Sequence, residues 1–548
     1  MIRKFALKNA LDYGKAQEGA VISKLIAADP SAKARMGELA ATVKSVVLEV
    51  NGLDRAQLER EFSRYAAEFR EAEQEKAERS SKHDFSIEGA EKGRFVTRFP
   101  PEPGGYMHIG HAKPLAIEDK LRRIYDGKLM LYFDDTNAEN EKQEFVDAFH
   151  ADLKWLGIVF DGEYHASDNL PMLYEYAEKA IGKGAAYVCL CSGEKIKEGR
   201  ASGSGCVHKA HSISRNIALW KEMLGNKFED NGAVLRFNSN MQAQNTTMRD
   251  PTLFRIKHAP HYRQGSRYWV WPTYDFCTPI VDSTKGVTDV LRSKEYELRD
   301  ELYFAVLDAL GLRKPRITSI SRLEIGGNVT HKREVRKLIA EGKVSGWDDP
   351  RLVTIAALRR RGILPQAIME FALGSGISKS ESVSSMDQLL AINRRLLEKG
   401  ALRLFIVAEP VPVEVEGADK NPNYKADRGL FINATDAKGF SKGDSIRLRG
   451  AFNIRIDGVQ KDKIRATYIS SEPIDAPRVP WISGKQSCEL VQIGPLLVDG
   501  RFNSDSIRRI KGYTGWDVNE MEEGSAVRFE GLGLYKLDSK QTFAFLSL

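Results

Sequence analysis

The spacing of hydrophobic residues predicts helices in the first part of this chain. Four apolar residues recur three or four positions apart: Leu58, Phe62, Tyr65 and Phe69. This spacing places them on one face of a helix. The highly charged segment 70–78 that follows is typical of a solvated stretch, and the polar residues 80–84 form a linker. We therefore predict an N-terminal helical region with its linker over residues 1–90.

Strands alternate with helices from about residue 93 onward, which is the pattern of a parallel sheet. The clearest strand is the apolar run Lys128–Phe133. A Gly/Ser-rich, cysteine-bearing stretch interrupts the alternation, so we predict an inserted subdomain at 185–270. The two halves of the α/β domain then cover 91–184 and 271–320, and residues 321–398 return to helical character.

Polar and apolar residues alternate with a period of two in the last part of the chain. Examples are Ser445–Arg449 and Ala526–Glu530. Turn signals accompany them at Lys442–Asp444 and Asp457–Gly458. The pattern predicts antiparallel β-barrels over residues 399–548.

The composition is that of an ordinary soluble protein and excludes few functions. The 548 residues are 42% hydrophobic and 29% charged, and the net charge of +7 is too small to require a polyanionic partner. No apolar run reaches the roughly 18 residues of a membrane span, and the N-terminus does not have the pattern of a signal peptide. Five cysteines in so long a chain argue against a disulfide framework. We expect a cytoplasmic protein without membrane contact. The sequence does not fix its oligomeric state, and we favour a monomer.

One segment carries the most chemistry: Arg98-Phe-Pro-Pro-Glu-Pro-Gly-Gly-Tyr-Met-His-Ile-Gly-His111. It joins a strand at Phe95–Val96 to a helical pattern, and a helix N-terminus reached in this way binds phosphate through unpaired N–H groups. His108 and His111 flank a glycine there and can donate hydrogen bonds to phosphate oxygens. The alternative is a Pro-rich loop with two incidental histidines, which the complete segment argues against.

This segment resembles the first signature of class I aminoacyl-tRNA synthetases, in the glutamyl/glutaminyl branch. Three further segments resemble the glutamyl-tRNA synthetase pattern in the same order: Asp134–Asn137, Pro272–Arg292 and Val329–Arg333. The resemblance covers essentially the whole chain and is greatest to the archaeal form. It implies a multidomain α/β protein with a Rossmann-type catalytic core and an inserted subdomain that binds the tRNA acceptor end. The helical N-terminal region and the β-barrels, which would bind the anticodon, complete this fold.

The resemblance implies ATP with Mg²⁺ and a set of phosphate-binding residues. The catalytic candidates are His108, His111, Lys332 and Arg333. The residues expected to border ATP are Glu102, Pro103, Gly104, His108, Gly110, His111, Arg322, Leu323 and Lys332. Val329 and His331 depart from the family's second signature, where a lysine and a serine are usual. From the sequence of this segment alone, Lys332 and Arg333 would also fit a solvated basic helix start.

The amino-acid pocket is implied in the same way: Arg98, Asp134, Tyr274 and Arg292 would bind glutamate. Arginine reads a carboxylate bidentately, and an acidic residue can pair with the ammonium group. A buried structural ion pair is the alternative for either arginine.

The inserted stretch contains a candidate zinc site. Its ligands would be Cys189, Cys191, Cys206 and His208, in short paired spacings that suit a tetrahedral ion. His211 is a spare candidate, and free buried thiols are the alternative. We expect the remaining cysteines, Cys277 and Cys488, to be packing residues.

Together these features predict an enzyme that attaches L-glutamate to the 3′ end of glutamate tRNA through a glutamyl-adenylate, releasing AMP and pyrophosphate. Glutamine tRNA is a second candidate partner. A glutaminyl-tRNA synthetase is the nearest alternative, and Arg292 argues against it because a neutral amide gives no reason to bury a cation. A catalytically silent tRNA-binding protein is another alternative. The residues after about 395 argue against a truncated tRNA-modifying relative.

Overall fold

The computed structural model describes residues 1–28, 36–66, 68–69, 85–380, 383–398, 400–418, 429–460, 463–539 and 541–547. The chain divides into two compact units, Met1–Asp84 and Phe85–Leu548. The first contains the helices Ile2–Tyr13, Glu18–Ala28, Met36–Asn51 and Arg55–Phe62. Asp54 starts the last helix by capping the N–H of Gln57, whose side chain caps Asp54 in return. The predicted helix is therefore present around Leu58, while the segments 70–78 and 80–84 lie outside the described residues.

The second unit begins with a parallel sheet. Its strands are, in spatial order, Gly162–His165, Lys128–Phe133, Val96–Phe99, Asp289–Ser293 and Arg316–Ile320. Thr288 joins the two parts of this sheet by donating its N–H to the Val96 carbonyl at 2.8 Å. The accompanying helices are Ile109–Ile124, Gln143–Trp155, Leu170–Gly182, Tyr274–Thr284 and Asp300–Leu310. Lys128–Phe133 has the bounds predicted from its apolar run, and Asp134 follows it at the carboxyl end of the sheet.

An antiparallel sheet interrupts this core. Its strands are Ala186–Cys189, Val234–Phe237, Thr252–Ile256 and Val270–Pro272, and its helices include Gly193–Ser202 and Ile213–Leu224. Trp220, from the helix Ile213–Leu224, and Leu235, from this antiparallel sheet, belong to the same hydrophobic cluster as Leu173 and Ile280 of the core. The insertion is therefore packed onto the parallel sheet through shared apolar side chains.

Four helices and a short sheet follow the core. The helices are Lys332–Ala340, Ile355–Arg361, Pro365–Leu373 and Met386–Leu397, and the strands are Glu324–Ile325 and Val383–Ser384. Leu358 and Phe371 share one hydrophobic cluster with Leu534 and Leu546 from the last strands of the chain. Gly362 ends its helix with φ +96°, and a Cβ there would lie 2.6 Å from Lys536 Cδ. The C-terminal β region is therefore packed tightly against these helices.

Two larger sheets form most of the C-terminal region. The seven-stranded sheet has the order Arg478–Val479, Ser445–Leu448, Asn453–Val459, Ile464–Ser470, Pro410–Glu416, Leu430–Asn433 and Ile482–Ser483. The six-stranded sheet has the order Leu402–Leu404, Ala526–Phe529, Gly533–Ser539, Thr542–Ser547, Gln486–Ile493 and Ile507–Thr514. Most neighbouring strands are antiparallel, but four pairs are parallel.

The two turn signals in this region have different outcomes. Lys442–Gly443 forms the predicted turn, and Gly443 has φ +98°. The turn predicted at Asp457–Gly458 is wrong, because both residues lie within the strand Asn453–Val459. The register shifts between Ile456 and Gly458, so the glycine marks a bulge rather than a reversal.

Candidate active site

His108 and His111 lie together at the start of the helix Ile109–Ile124. His108 is the N-cap, and its Nδ1 accepts the N–H of Gly110 at 3.1 Å. The Nδ1 of His111 accepts the N–H of His108, also at 3.1 Å. In a neutral imidazole one nitrogen accepts and the other carries the proton, so each ring has its proton on Nε2. Both rings can therefore donate from Nε2 to an oxygen placed beyond the helix terminus.

Burial keeps these rings uncharged. It lowers the pKa of His108 to about 4, assisted by the positive charges of Lys332 and Arg322. The pKa of His111 is also well below its usual value, first because of burial and then because of His108. The pair therefore acts as two hydrogen-bond donors rather than as two cations at neutral pH.

The second signature segment lies directly over the first. Lys332 starts the helix Lys332–Ala340, and its Nζ donates to the Glu102 carbonyl oxygen at 3.1 Å. Arg336, one turn later, donates from Nη2 to the Gly104 carbonyl oxygen at 2.7 Å. Gly105 makes room for the lysine, since a Cβ there would lie 3.0 Å from Lys332 Cγ. Lys332 is therefore more than the start of a solvated helix, whereas Arg333 is exposed.

The other predicted ATP neighbours line the same region. Pro103 and Leu323 are buried, and Arg322 pairs with Glu295. A Cβ on Gly110 would lie 3.4 Å from the Leu323 carbonyl oxygen and 2.8 Å from His108 Cε1. A side chain at this position would therefore displace the His108 ring.

Lys113, a residue not predicted from the sequence, connects this helix to the sheet. It is buried, and its Nζ donates to the Ser321 hydroxyl at 2.7 Å. Burial lowers the pKa of Lys113 to about 8. Ser321 immediately precedes Arg322. Lys113 therefore links the helix Ile109–Ile124 to the part of the chain that leads into the second signature segment.

Arg98 is buried at the carboxyl end of its strand and forms an ion pair with Asp282. Its Nε and Nη2 donate to the two carboxylate oxygens at 2.9 and 3.2 Å, and Nη1 donates to the Leu291 carbonyl oxygen at 3.2 Å. Tyr303 donates to the same carboxylate at 3.0 Å. The ion pair that was the alternative reading of Arg98 is thus present. Because a guanidinium has five N–H donors, two remain for another acceptor.

Arg292 is the second buried arginine, with 6% of its surface exposed. Its Nη1 donates to the Tyr274 hydroxyl at 3.3 Å, and its Nη2 pairs with Asp300. Its Nε has no hydrogen-bond partner among the described residues. Arg292 therefore retains donor capacity, and Tyr274 lies beside it as predicted for one pocket.

Asp134 provides an unsatisfied carboxylate oxygen. Its Oδ1 is buried and makes no hydrogen bond within the described part of the chain. Its N–H donates to the Pro101 carbonyl oxygen at 3.0 Å, which ties the strand end to the first signature loop. Burial raises the pKa of Asp134 to about 7, with further contributions from Glu102 and Asp135. Such a group is suited to receiving a cation.

A cavity of about 330 Å³ adjoins Tyr274 where the insertion meets the core. Its lining residues are Arg200, Thr247, Pro251, Thr252, Thr273, Tyr274, Asp275, Tyr296 and Arg299. Arg299 pairs with Asp275 across it. Sequence reasoning missed Arg200 because it lies in the insertion, far along the chain from Tyr274, and has no local pattern of its own.

The four candidate zinc ligands come together in the insertion. Their donor atoms all lie within 4.8 Å of one another. Cys189 Sγ is 3.6 Å from Cys206 Sγ, and Cys191 Sγ is 3.4 Å from His208 Nδ1. A tetrahedral zinc with bonds of about 2.0–2.3 Å holds its ligand atoms roughly 3.3–3.8 Å apart, so this donor set fits the ion.

The other candidate and the remaining cysteines lie outside this cluster. His211 packs against the His208 ring with centroids 5.2 Å apart but does not join the four donors. Cys277 and Cys488 are buried in separate hydrophobic clusters, which confirms that they are packing residues.

Comparisons with known proteins identify the family of this chain. Residues 94–399 match the family described as tRNA synthetases class I (E and Q), catalytic domain, and residues 401–471 match its anti-codon binding domain. The chain therefore belongs to the class I tRNA synthetases of the glutamate and glutamine group. Among the described residues, the helices are too short or too polar to span a bilayer.

Similar proteins cover almost the whole chain. Glutamate–tRNA ligase from Nitrosopumilus maritimus is 35% identical over 561 residues, which are 99% of this chain and 98% of that protein. Glutamate–tRNA ligase from Thermococcus onnurineus is 35% identical over 98% of this chain and 97% of its own length. A crystal structure of glutamate–tRNA synthetase from Elizabethkingia anophelis matches 56% of this chain and 71% of its own, with 18% identity and a TM-score of 0.42.

Proposed function

We propose that this chain is an ATP-dependent ligase that attaches L-glutamate to the 3′ end of glutamate tRNA. The observation that carries the proposal is one site that combines two buried arginines, an unsatisfied carboxylate oxygen on Asp134 and a helix N-terminus with two imidazole donors. Free glutamate presents two carboxylates and an ammonium group. The charges of the site therefore match those of the amino acid.

The first half-reaction follows from this arrangement. An oxygen of the glutamate α-carboxylate attacks the α-phosphorus of ATP, a new O–P bond forms, and the bond to pyrophosphate breaks. His108 and His111 donate from Nε2 to phosphate oxygens, while Lys332 leaves Glu102 to neutralise the departing pyrophosphate. Synthetases of this class use ATP with Mg²⁺, which screens phosphate charge. The chain's own part is positioning and charge stabilisation.

In the second half-reaction, a 3′-terminal hydroxyl of tRNA attacks the carbonyl carbon of the adenylate. The ester bond forms, the bond from that carbon to the phosphate oxygen breaks, and AMP leaves. Glutamate tRNA is the proposed acceptor. Glutamine tRNA is a second candidate acceptor.

Selection of glutamate over glutamine rests on Arg292 in this proposal. A carboxylate at the end of the substrate can accept a charge-assisted hydrogen bond from the unpartnered Nε of Arg292, which is stronger than the bond that a neutral amide oxygen would accept there. Arg98 contributes its two remaining donors and its charge, with Asp282 fixing its orientation. Tyr274 completes the pocket through its hydrogen bond with Arg292.

Cys189, Cys191, Cys206 and His208 would hold a structural zinc ion in the insertion. The observation that supports this is the convergence of their four donor atoms, described above. A closed set of four protein ligands leaves no open position for substrate, so the ion would stabilise the insertion and take no part in the reaction.

The function is tested by exchange of labelled pyrophosphate into ATP, with tRNA present and with glutamate or glutamine as the amino acid. Exchange that depends on glutamate supports the proposal. Exchange with glutamine alone would instead favour the glutaminyl alternative, and no exchange with either amino acid would favour a silent tRNA-binding protein.

A further inference from the structure

Asp135, the neighbour of Asp134, is the centre of a buried hydrogen-bond network. Its side chain is completely buried. Oδ1 accepts the N–H of Ser167 at 2.8 Å, and Oδ2 accepts the Ser167 hydroxyl at the same distance. Oδ2 also accepts the Tyr262 hydroxyl at 2.8 Å and lies 3.3 Å from His165 Nδ1. The carboxylate is therefore held from two separate segments of the chain.

One of these segments is a turn of the inserted subdomain, residues 261–264. His261 donates from Nε2 to the Asp135 carbonyl oxygen at 3.0 Å, and its Nδ1 accepts the N–H groups of Arg263 and Gln264. Because Nδ1 accepts hydrogen bonds, the ring proton of His261 is on Nε2, and His261 donates to the Asp135 backbone. The turn thus binds both the side chain and the main chain of Asp135.

The same turn is anchored to the second segment, residues 165–168. Arg263 donates from Nε and Nη2 to the two oxygens of Asp168 at 2.9 and 2.8 Å, and Gln264 donates to Asp168 Oδ1 at 2.7 Å. His165 stacks on Phe133, the last residue of the strand, with ring centroids 5.0 Å apart. The turn of the insertion and the core segment 165–168 therefore hold the strand end from two sides of Asp135.

Asp134 has no comparable support of its own. Its Oδ1 makes no hydrogen bond among the residues described, and its main chain is tied to Pro101. The direction in which the Asp134 carboxylate points thus depends on the backbone of Asp135, and the hydrogen bonds around Asp135 hold that backbone in place.

We propose that Asp135 is a positioning residue through which the 261–264 turn of the insertion aims Asp134 at the ammonium group of glutamate. The proposal rests on the proposed function, since it assumes that glutamate is the amino acid bound. It assigns to the insertion a part in amino-acid binding that is separate from contact with tRNA.

Tyr262→Phe tests the proposal because it removes one donor to Asp135 and keeps the ring. We expect the KM for glutamate to rise about tenfold, in line with the loss of a hydrogen bond to a buried charged group, while the KM for ATP stays within about twofold. Tyr174→Phe is the matched control. Tyr174 is also half-buried and donates at 2.7 Å to the Val270 carbonyl oxygen, away from Asp135, so its loss should leave the KM for glutamate unchanged.

A second variant, Asp135→Asn, adds a readout that a purely structural role would not change. The charged and titratable groups that face Asp134 are Glu102, Asp135, Glu141, Arg98 and Asp282. Removing the Asp135 charge should shift the pH dependence of the KM for glutamate to lower pH, and raise that KM more than the KM for ATP.

The outcomes separate the two proposals. If wild-type protein shows no glutamate-dependent exchange, the proposed function fails and this inference fails with it. If the wild type is active but Tyr262→Phe and Tyr174→Phe behave alike, or if Tyr262→Phe raises both KM values equally, the positioning role is overturned while the function stands. A tenfold, glutamate-specific effect confined to Tyr262→Phe, with the pH shift in Asp135→Asn, supports it.

Discussion

Lys332 Nζ lies 3.1 Å from the carbonyl oxygen of Glu102, so the second signature segment contacts the first. Glu102 and Lys332 are 230 residues apart in the chain. The contact places a cation beside the two imidazoles at the helix N-terminus. An anion that entered between them would meet donors from both segments.

We predict that His108→Ala or Lys332→Ala lowers the rate of adenylate formation by roughly 10²–10³, because contacts to developing charge are typically worth that much. The rate is measured by pyrophosphate exchange with tRNA present, and tRNA affinity should change little. His258→Ala is the control, since His258 bonds to Asp230 in the insertion. Near wild-type exchange in both signature variants would contradict the assigned roles.

The pKa of about 7 for Asp134 predicts how glutamate binding responds to pH. The carboxyl group must be ionised to pair with ammonium, and below pH 7 the empty site holds a proton that binding must displace. The KM for glutamate should therefore rise by up to about tenfold per pH unit below 7 and level off above it. Asp134→Asn should raise the KM and remove this dependence. A wild-type KM that is flat from pH 8 to 6 would contradict the role.

Purified protein should contain about one zinc ion per chain, and Cys206→Ser should release it and lower the melting temperature. The reason is that a structural ion contributes its binding free energy to folding. Cys488→Ser is the matched control, because that buried thiol lies far outside the four-donor cluster in a C-terminal strand. Metal analysis that finds no zinc in carefully prepared wild-type protein would rule out occupancy.

How much of this could be predicted from the sequence depended on distance along the chain. The strand Lys128–Phe133 and the helix start at His108 depend on residues that are neighbours in the sequence. The sequence pattern therefore predicts the position of both elements closely. Asp135 was visible only as an acidic residue after a strand, because its partner Tyr262 lies 127 residues away. The bulge at Gly458 was predicted to be a turn, because an aspartate followed by a glycine is common in turns and a glycine is also common in bulges.

Packing also decides how the anticodon-binding region can be tested. Deleting residues beyond about 400 would remove Leu534 and Leu546 from a cluster that they share with Leu358, so the truncated protein would not keep an intact core. Point substitutions are required instead. Arg447, in the strand Ser445–Leu448, is held by Asn453. Arg449, in the turn that follows this strand, is exposed, which makes it the better probe.

Arg449→Glu should raise the KM for tRNA several-fold, leave the KM values for ATP and glutamate nearly unchanged, and reduce the salt dependence of tRNA binding by about one contact. Lys154→Glu is the control, because Lys154 is an exposed cation on the helix Gln143–Trp155, outside the β region. Equal effects of the two substitutions would mean that this face of the sheet is an ordinary solvated surface.

The most direct measurement is the mass of the aminoacyl ester on the 3′-terminal adenosine after the wild-type protein is incubated with ATP, both amino acids and purified tRNA. We expect the glutamyl ester on glutamate tRNA, and a parallel incubation with glutamine tRNA shows whether that acceptor is also used. A glutaminyl ester, or no ester on either tRNA, would contradict the assignment of this chain as a glutamate–tRNA ligase.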